Sequence, residues 1–167
     1  MGNISIGEYT YGNPILRGNH NNVTIGKYGS FGENTLIDSG FSHNYKNVST
    51  YPFQANMAGC SHLPLNLKIK GDVVIGNDFW CGEQCVIMSG VTIGDGAVIG
   101  MRGIVTKDVK PYEIIVGNHR SIGFRFNPEQ IEKLLQIKWW DWLDEKVRAN
   151  AHLLLSEDIE NFINNHI

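Results

Sequence analysis

A chain of 167 residues, 42% apolar and 19% charged, has the size and apolar content of a single folded domain with a small appendage, which excludes a disordered chain. A net charge of −3 without a basic run leaves no electrostatic footprint for nucleic acid, and no stretch approaches the ~18 apolar residues of a membrane span. Nineteen glycines stand well above the usual ~7%, yet only five prolines and no Gly-X-Y period exclude collagen, so the glycines must serve many turns.

Met1-Gly2-Asn3-Ile4 has no basic region leading into an apolar stretch, so no signal peptide is read. Three cysteines, Cys60, Cys81 and Cys85, are an odd number without a C-x-x-C pair; they argue against a disulfide framework or zinc ribbon and for a reducing cytoplasm.

A six-residue repeat organises the chain. It opens with Ile6-Gly7, becomes regular at Ile25-Gly26, Phe31-Gly32 and Ile37, and runs in phase through Ile69, Ile75, Cys81, Ile87, Ile93, Ile99 and Val105. Gly follows at 76, 82, 94 and 100, and Val73, Phe79, Cys85, Val91, Ala97 and Gly103 precede by two. This is neither a helical 3.6 period nor plain strand alternation. It describes a short strand, a corner and another short strand, with one large residue per repeat pointing inward and a small one leaving room beside it. Asn77-Asp78 and Asp95-Gly96 suit corners that need a left-handed backbone. Three such repeats close one triangular coil, and coils stack as parallel strands about 4.8 Å apart. The expected fold is mainly β: a left-handed parallel β-helix over 1–110, with a linker and helical extension over 111–167.

Between Ile37 and Ile69 the phase breaks, because 32 residues is not a multiple of six. An excursion at about 38–68, interrupting a regular solenoid, is a candidate functional loop. Past Val109, Asn127-Pro128-Glu129-Gln130 predicts a helix start with an Asn cap, Pro in the first turn and Gln three after the cap. Ile131, Leu134 and Leu135 give its apolar stripe. A second helix is expected from about Asp144 to Leu155, and a short third one after Ser156-Glu157-Asp158.

Glu8-Tyr9-Thr10-Tyr11-Gly12-Asn13-Pro14, Val48-Ser49-Thr50-Tyr51-Pro52-Phe53, Gly71-Asp72-Val73-Val74-Ile75-Gly76-Asn77-Asp78-Phe79-Trp80, Val105-Thr106-Lys107-Asp108-Val109 and Trp139-Trp140-Asp141-Trp142 occur together in that order. In this combination the chain resembles the xenobiotic acetyltransferases of the hexapeptide-repeat superfamily, which include streptogramin (virginiamycin) and hexapeptide-type chloramphenicol acetyltransferases. The resemblance covers nearly the whole chain. It implies acetyl-CoA as cosubstrate, no metal, a homotrimer with active sites between subunits, and a small hydroxylated acceptor.

The resemblance also implies a general-base histidine on the excursion, and His43, six residues before Ser49, matches it. The chemistry fits: an alcohol attacking a thioester must lose its proton, and an imidazole titrating near neutrality can take it. The other reading of His43 is an inward-facing residue at the next six-residue step after Ile37; His62 is the reserve base. His20, His152 and His166 read as surface or packing residues. Trp80 resembles the tryptophan beside the pantetheine and thioester, its alternative being interface packing. Backbone amides near Gly82 and Gly100 are candidate donors to the pantetheine. Lys107 and Arg120 are by resemblance the candidate cations for the CoA phosphates, with Arg102 and Lys110 behind them, the alternative for each being a solvated edge charge; Thr106, beside Lys107, is a further candidate for CoA binding. Tyr9, Tyr11, Tyr45, Tyr51 and Phe53 form a candidate acceptor wall, their alternative being ordinary packing. Two positions depart from the family pattern: Asn47 replaces a frequent tryptophan, and Gly117-Asn118-His119-Arg120-Ser121 stands where Gly-Asn-Pro-Ala-Lys is common, so that His119 takes the place of a proline near the adenine.

Three rivals remain at this stage. A sugar O- or N-acetyltransferase keeps the chemistry and changes the acceptor. A γ-class carbonic anhydrase shares the fold, but needs three converging histidines, and the block from Ile69 to Val109 has none. A non-catalytic trimeric scaffold would leave the loop histidine, Trp80 and Thr106-Lys107 without a purpose.

Overall fold

A computed structural model describes residues 2–18 and 20–167; Met1, part of the amino-terminal reading above, lies outside the described residues. The strands are short. β1 (Ile4–Ile6), β2 (Ile15–Arg17), β3 (Val23–Ile25), β4 (Ser30–Phe31) and β5 (Leu36–Asp38) precede the excursion, which contains β6 (Ser42–His43), α1 (Phe53–Asn56) and β7 (Leu67–Lys68). β8 (Val73–Ile75), β9 (Trp80–Cys81), β10 (Val86–Ile87), β11 (Thr92–Ile93), β12 (Val98–Ile99) and β13 (Ile104–Val105) follow, then β14 (Glu113–Val116) and β15 (Arg120–Phe124).

These strands form three parallel sheets, ordered β1-β3-β8-β11, β2-β5-β10-β13 and β4-β9-β12-β14, with β15 added antiparallel to the last. From β3 onward the chain visits the sheets in turn, so each circuit adds one strand to each. Ile75 lies beside Ile93, Cys81 beside Ile99 and Ile87 beside Val105, each pair eighteen residues apart, or three hexapeptides. All six side chains are buried in one continuous core with Val73, Phe79, Val91 and Ala97. Two corrections to the repeat follow. Ile69 is 64% exposed, because it lies on the return from the excursion, and the inward register resumes only at Val73. Parallel pairing also continues past residue 110, where Ile114 and Ile115 pair with Val98 and Ile99.

Close approach of successive coils explains the small residue after each inward one. A Cβ on Gly76 would stand 2.7 Å from Asp95 N, and one on Gly82 2.6 Å from Met101 N. The corners are left-handed, as expected, but not only at Gly, Asn and Asp: Tyr28, Gln84, Arg102 and Tyr112 have φ of 57, 58, 58 and 58°. For such residues this conformation costs ~1–2 kcal/mol. Each of these amides donates to a carbonyl one coil away, Tyr28 to Glu8, Gln84 to Glu33, Arg102 to Glu83 and Tyr112 to Asp95. The stacked ladder therefore offsets a local preference that residue type alone would oppose. Asn77 and Asp95 extend the ladder with side chains: Asn77 Oδ1 accepts from Lys27 N at 2.8 Å, and Asp95 Oδ1 from Asn77 N at 2.7 Å.

Three helices follow the coils: α2 (Pro128–Ile137), α3 (Asp144–Leu154) and α4 (Ile159–Asn164). α2 starts on the expected capping box, with Asn127 and Gln130 bonded reciprocally, and Asp158 caps α4 by accepting from Asn161 N. Tyr112, Leu134, Phe162 and Ile163 centre a second core against the end of the coils. Arg125 donates to Gly96 O at 2.9 Å and pairs with Asp78 at 3.3 Å; burial nonetheless pushes the Asp78 carboxyl up from its ordinary range. At the opposite edge of this core Tyr9 stacks on Tyr28 at 4.9 Å, Tyr28 meets Trp139 at 4.6 Å, and the Tyr9 hydroxyl donates to the Asp144 carboxylate. Tyr9 thus clasps the first coil to α3. Among the described residues no helix is long and apolar enough to cross a membrane.

Two outcomes follow from this packing. Ile93→Ala empties a fully buried site and should lower unfolding stability by about 2–5 kcal/mol, whereas Val74→Ala on the outer face of the same sheet should cost far less; equal losses in denaturant titration would contradict the coil register. Tyr9→Phe should lower Tm while leaving acceptor KM unchanged, and a raised KM would place Tyr9 in the acceptor wall.

Candidate active site

The chain leaves the coils after Asp38 and rejoins them at Val73. The excursion is pinned at its base by an antiparallel pair, Ser42 opposite Lys68 and His43 opposite Leu67. This pairing turns the His43 side chain outward; it is exposed, so the inward-facing reading does not hold. Beyond β6 a tight turn places Asn47 N 3.1 Å from Asn44 O, and Ser49 Oγ accepts from Tyr51 N at 3.1 Å. The loop then passes back over the histidine, and Thr50 O lies 2.6 Å from His43 Nδ1.

That contact decides the tautomer. A carbonyl oxygen only accepts, so Nδ1 carries the hydrogen and the neutral ring keeps its lone pair on Nε2. The imidazole is held through one nitrogen and available as a base through the other.

His43 lines a cavity of about 260 Å³ bounded entirely by the excursion. One side is apolar, with Tyr51 and Phe53 in edge contact at 5.0 Å and with Leu63 and Leu67. The other is polar, built from Asn44, Asn47 and Asn66. Of the five aromatic residues expected in an acceptor wall, only Tyr51 and Phe53 join His43. Tyr11 lies on the coil, bridged to Ser30, and the ring of Tyr45 lies under Lys68 Nζ at 4.5 Å. His62 is exposed and outside this cavity. Leu63 and Asn66, which also line it, escaped the sequence reading. The only signal for them was the alternation Leu63-x-Leu65-x-Leu67 on the return strand, which says nothing about the cavity.

The residues expected to bind CoA sit on the outside of the coils. Trp80 begins β9 and is 54% exposed, its neighbour Cys81 filling the core. Arg102, Thr106, Lys107 and Arg120 are exposed on corners and at the start of β15, and Lys110 is exposed behind them. Arg102 Nε donates to Gln84 Oε1 at 2.7 Å. His119 is held against the coil, its Nδ1 3.4 Å from Thr106 N. Of the amides near Gly82 and Gly100, those of the two glycines themselves donate at 2.8 Å to Ile99 O and Ile115 O and close the ladder. Among the described residues no three His, Cys, Asp or Glu side chains converge. A second cavity of about 260 Å³ lies beneath the carboxy-terminal helices beside Asp78, Tyr112 and Arg125, and holds none of the expected site residues.

With this geometry the relatives are informative. The chain is 34% identical over 94% of its length to a chloramphenicol acetyltransferase of Agrobacterium fabrum, covering 84% of that protein. It is 40% identical over 86% of its length to a probable macrolide acetyltransferase of Lysinibacillus sphaericus, covering 83% of it. Among solved structures, a hexapeptide-repeat-containing acetyltransferase from Vibrio cholerae complexed with acetyl coenzyme A superposes with a TM-score of 0.60 at 27% identity, over 74% of this chain and 61% of that longer one. No family model matches the chain. At this identity and coverage, the chain belongs to the hexapeptide-repeat xenobiotic acetyltransferases and is an acyltransferase.

Proposed function

We propose that the chain is an acetyl-CoA-dependent O-acetyltransferase acting on a small hydroxylated acceptor of the chloramphenicol or streptogramin A type, with His43 as general base. The observation that carries this reading is the His43–Thr50 contact, which leaves the Nε2 lone pair free on a residue that lines the excursion cavity. In the proposed reaction the acceptor oxygen attacks the thioester carbonyl carbon while Nε2 takes its proton. The C–S bond breaks as the adduct collapses, and the proton passes from Nε2 to the leaving sulfur. The products are an acetate ester and free CoA thiol, and the imidazole returns to its neutral state. No cysteine is required: Cys81 and Cys85 are buried, and burial raises both thiols, which disfavours the nucleophilic thiolate.

The coil belongs, in this reading, to a left-handed parallel β-helix that assembles as a homotrimer with sites between subunits. The support is an outer face that one chain leaves uncovered. Ile15, Leu36, Val86 and Ile104 stand in register along one sheet, and Tyr11, Ser30, Trp80, Val98 and Ile114 along another. Acetyl-CoA would lie along such an interface, with its pantetheine near Trp80 and Thr106 and its phosphates near Lys107, Arg120 and Arg102. A sugar acceptor is the second reading, favoured by the asparagine side of the His43 cavity.

The test is CoA thiol release from acetyl-CoA with chloramphenicol, streptogramin A and simple hexoses, for wild type beside His43→Ala. Release with an antibiotic, reduced 10²–10⁴-fold by the substitution, is expected. Release with hexoses alone would move the acceptor to sugars. Release unaffected by His43→Ala would overturn the base assignment.

A further inference from the structure

We propose that Asn44, Asn66 and Asn47 form a directional hydrogen-bond chain that selects acceptors carrying a second, hydrogen-bond-accepting oxygen near the reacting hydroxyl. This rests on the acetyl-transfer reading of the His43 cavity.

The direction of the chain follows from one backbone amide. Lys46 N lies 3.2 Å from the Asn44 side chain, and a backbone N–H can only donate, so the Asn44 atom there is Oδ1. Asn44 Nδ2 must then face Asn66, at 3.2 Å, and the atom it meets is Asn66 Oδ1. Asn66 therefore turns its own Nδ2 toward Asn47, whose Oδ1 accepts at 3.0 Å. Every amide orientation is fixed in sequence. Asn47 Nδ2 ends the chain with no acceptor among the described residues; Asn47 is exposed and lines the cavity that His43 also lines.

The frame is ordered on both sides. Asn47 is held by the tight turn from Asn44, and Asn66 stands one residue before β7, whose Leu67 pairs with His43. The cavity thus offers two groups of opposite sense: Nε2 of His43, which accepts the proton of the reacting hydroxyl, and Asn47 Nδ2, which donates to a neighbouring oxygen. A diol satisfies both. An acceptor lacking the second oxygen leaves the amide facing apolar surface, which a site built to hydrogen-bond its substrate penalises.

The experiment compares chloramphenicol, a 1,3-diol, with its 1-deoxy analogue, using wild type, Asn47→Leu and the isosteric Asn47→Asp, which replaces the donor with an acceptor. Wild type should favour the diol on the order of tenfold or more in kcat/KM, and both variants should lose that preference. A preference unchanged in both variants overturns the proposal. A second readout is independent of turnover: chloramphenicol is titrated into 15N-labelled His43→Ala protein while the Asn47 side-chain NH2 resonances are followed. Movement of those resonances upholds the contact even if wild type releases no CoA, in which case only the transfer reading fails. Resonances that stay still at saturating chloramphenicol overturn the donor assignment.

Discussion

The parallel ladder between successive coils is the constraint on which the rest of the molecule depends. Its repeat is eighteen residues, and it sets three things at once: which side chains fill the core, where glycine is obligatory, and which residues are forced into the left-handed corner. Tyr28, Gln84, Arg102 and Tyr112 adopt that corner against their own preference because each amide finds a carbonyl one coil away. A rigid stack of this kind tolerates a long insertion, since loop closure grows expensive only slowly with length. The excursion between Asp38 and Val73 leaves and re-enters at adjacent points, so the ladder resumes in phase, β8 beside β3.

The same constraint divides the labour of the chain. The coils supply outward rows and exposed corners, where Trp80, Lys107 and Arg120 stand. The excursion supplies the concave, mixed-polarity cavity that a flat sheet face cannot. Its histidine is oriented locally, by the two-stranded base and by the Thr50 carbonyl, and not by the coil core. The carboxy-terminal helices serve another purpose: they close the end of the stack through Tyr112 and Leu134, and bind its first coil through the Tyr9–Asp144 clasp.

Much of this was legible in the residues, because period-six patterning has a single physical cause. The inward positions from Ile75 to Val105, the break after Ile37 and the Asn127 cap were all readable. Ile69 keeps the period yet lies outside the core, because periodicity alone does not mark where a returning loop rejoins a ladder. Of the aromatic residues singled out, Tyr51 and Phe53, eight and ten positions after His43, share its cavity. Tyr9 is bound to Asp144, 135 positions away, and no local pattern signals such a contact. Which amides near Gly82 and Gly100 the ladder uses is a tertiary fact that a sequence does not show. Asn66 reaches the cavity only through the pairing of Leu67 with His43, a tertiary fact.

The account turns on a neutral His43 whose hydrogen sits on Nδ1. Long-range 1H–15N correlation spectra of protein labelled at histidine, collected at alkaline pH, read this directly. The account predicts a protonated Nδ1 and an unprotonated Nε2 for His43, with the Nδ1–H signature lost when the Thr50 loop is displaced by Pro52→Gly. A neutral His43 with its hydrogen on Nε2 would contradict it, because the nitrogen assigned as the base would then carry the proton it is meant to accept.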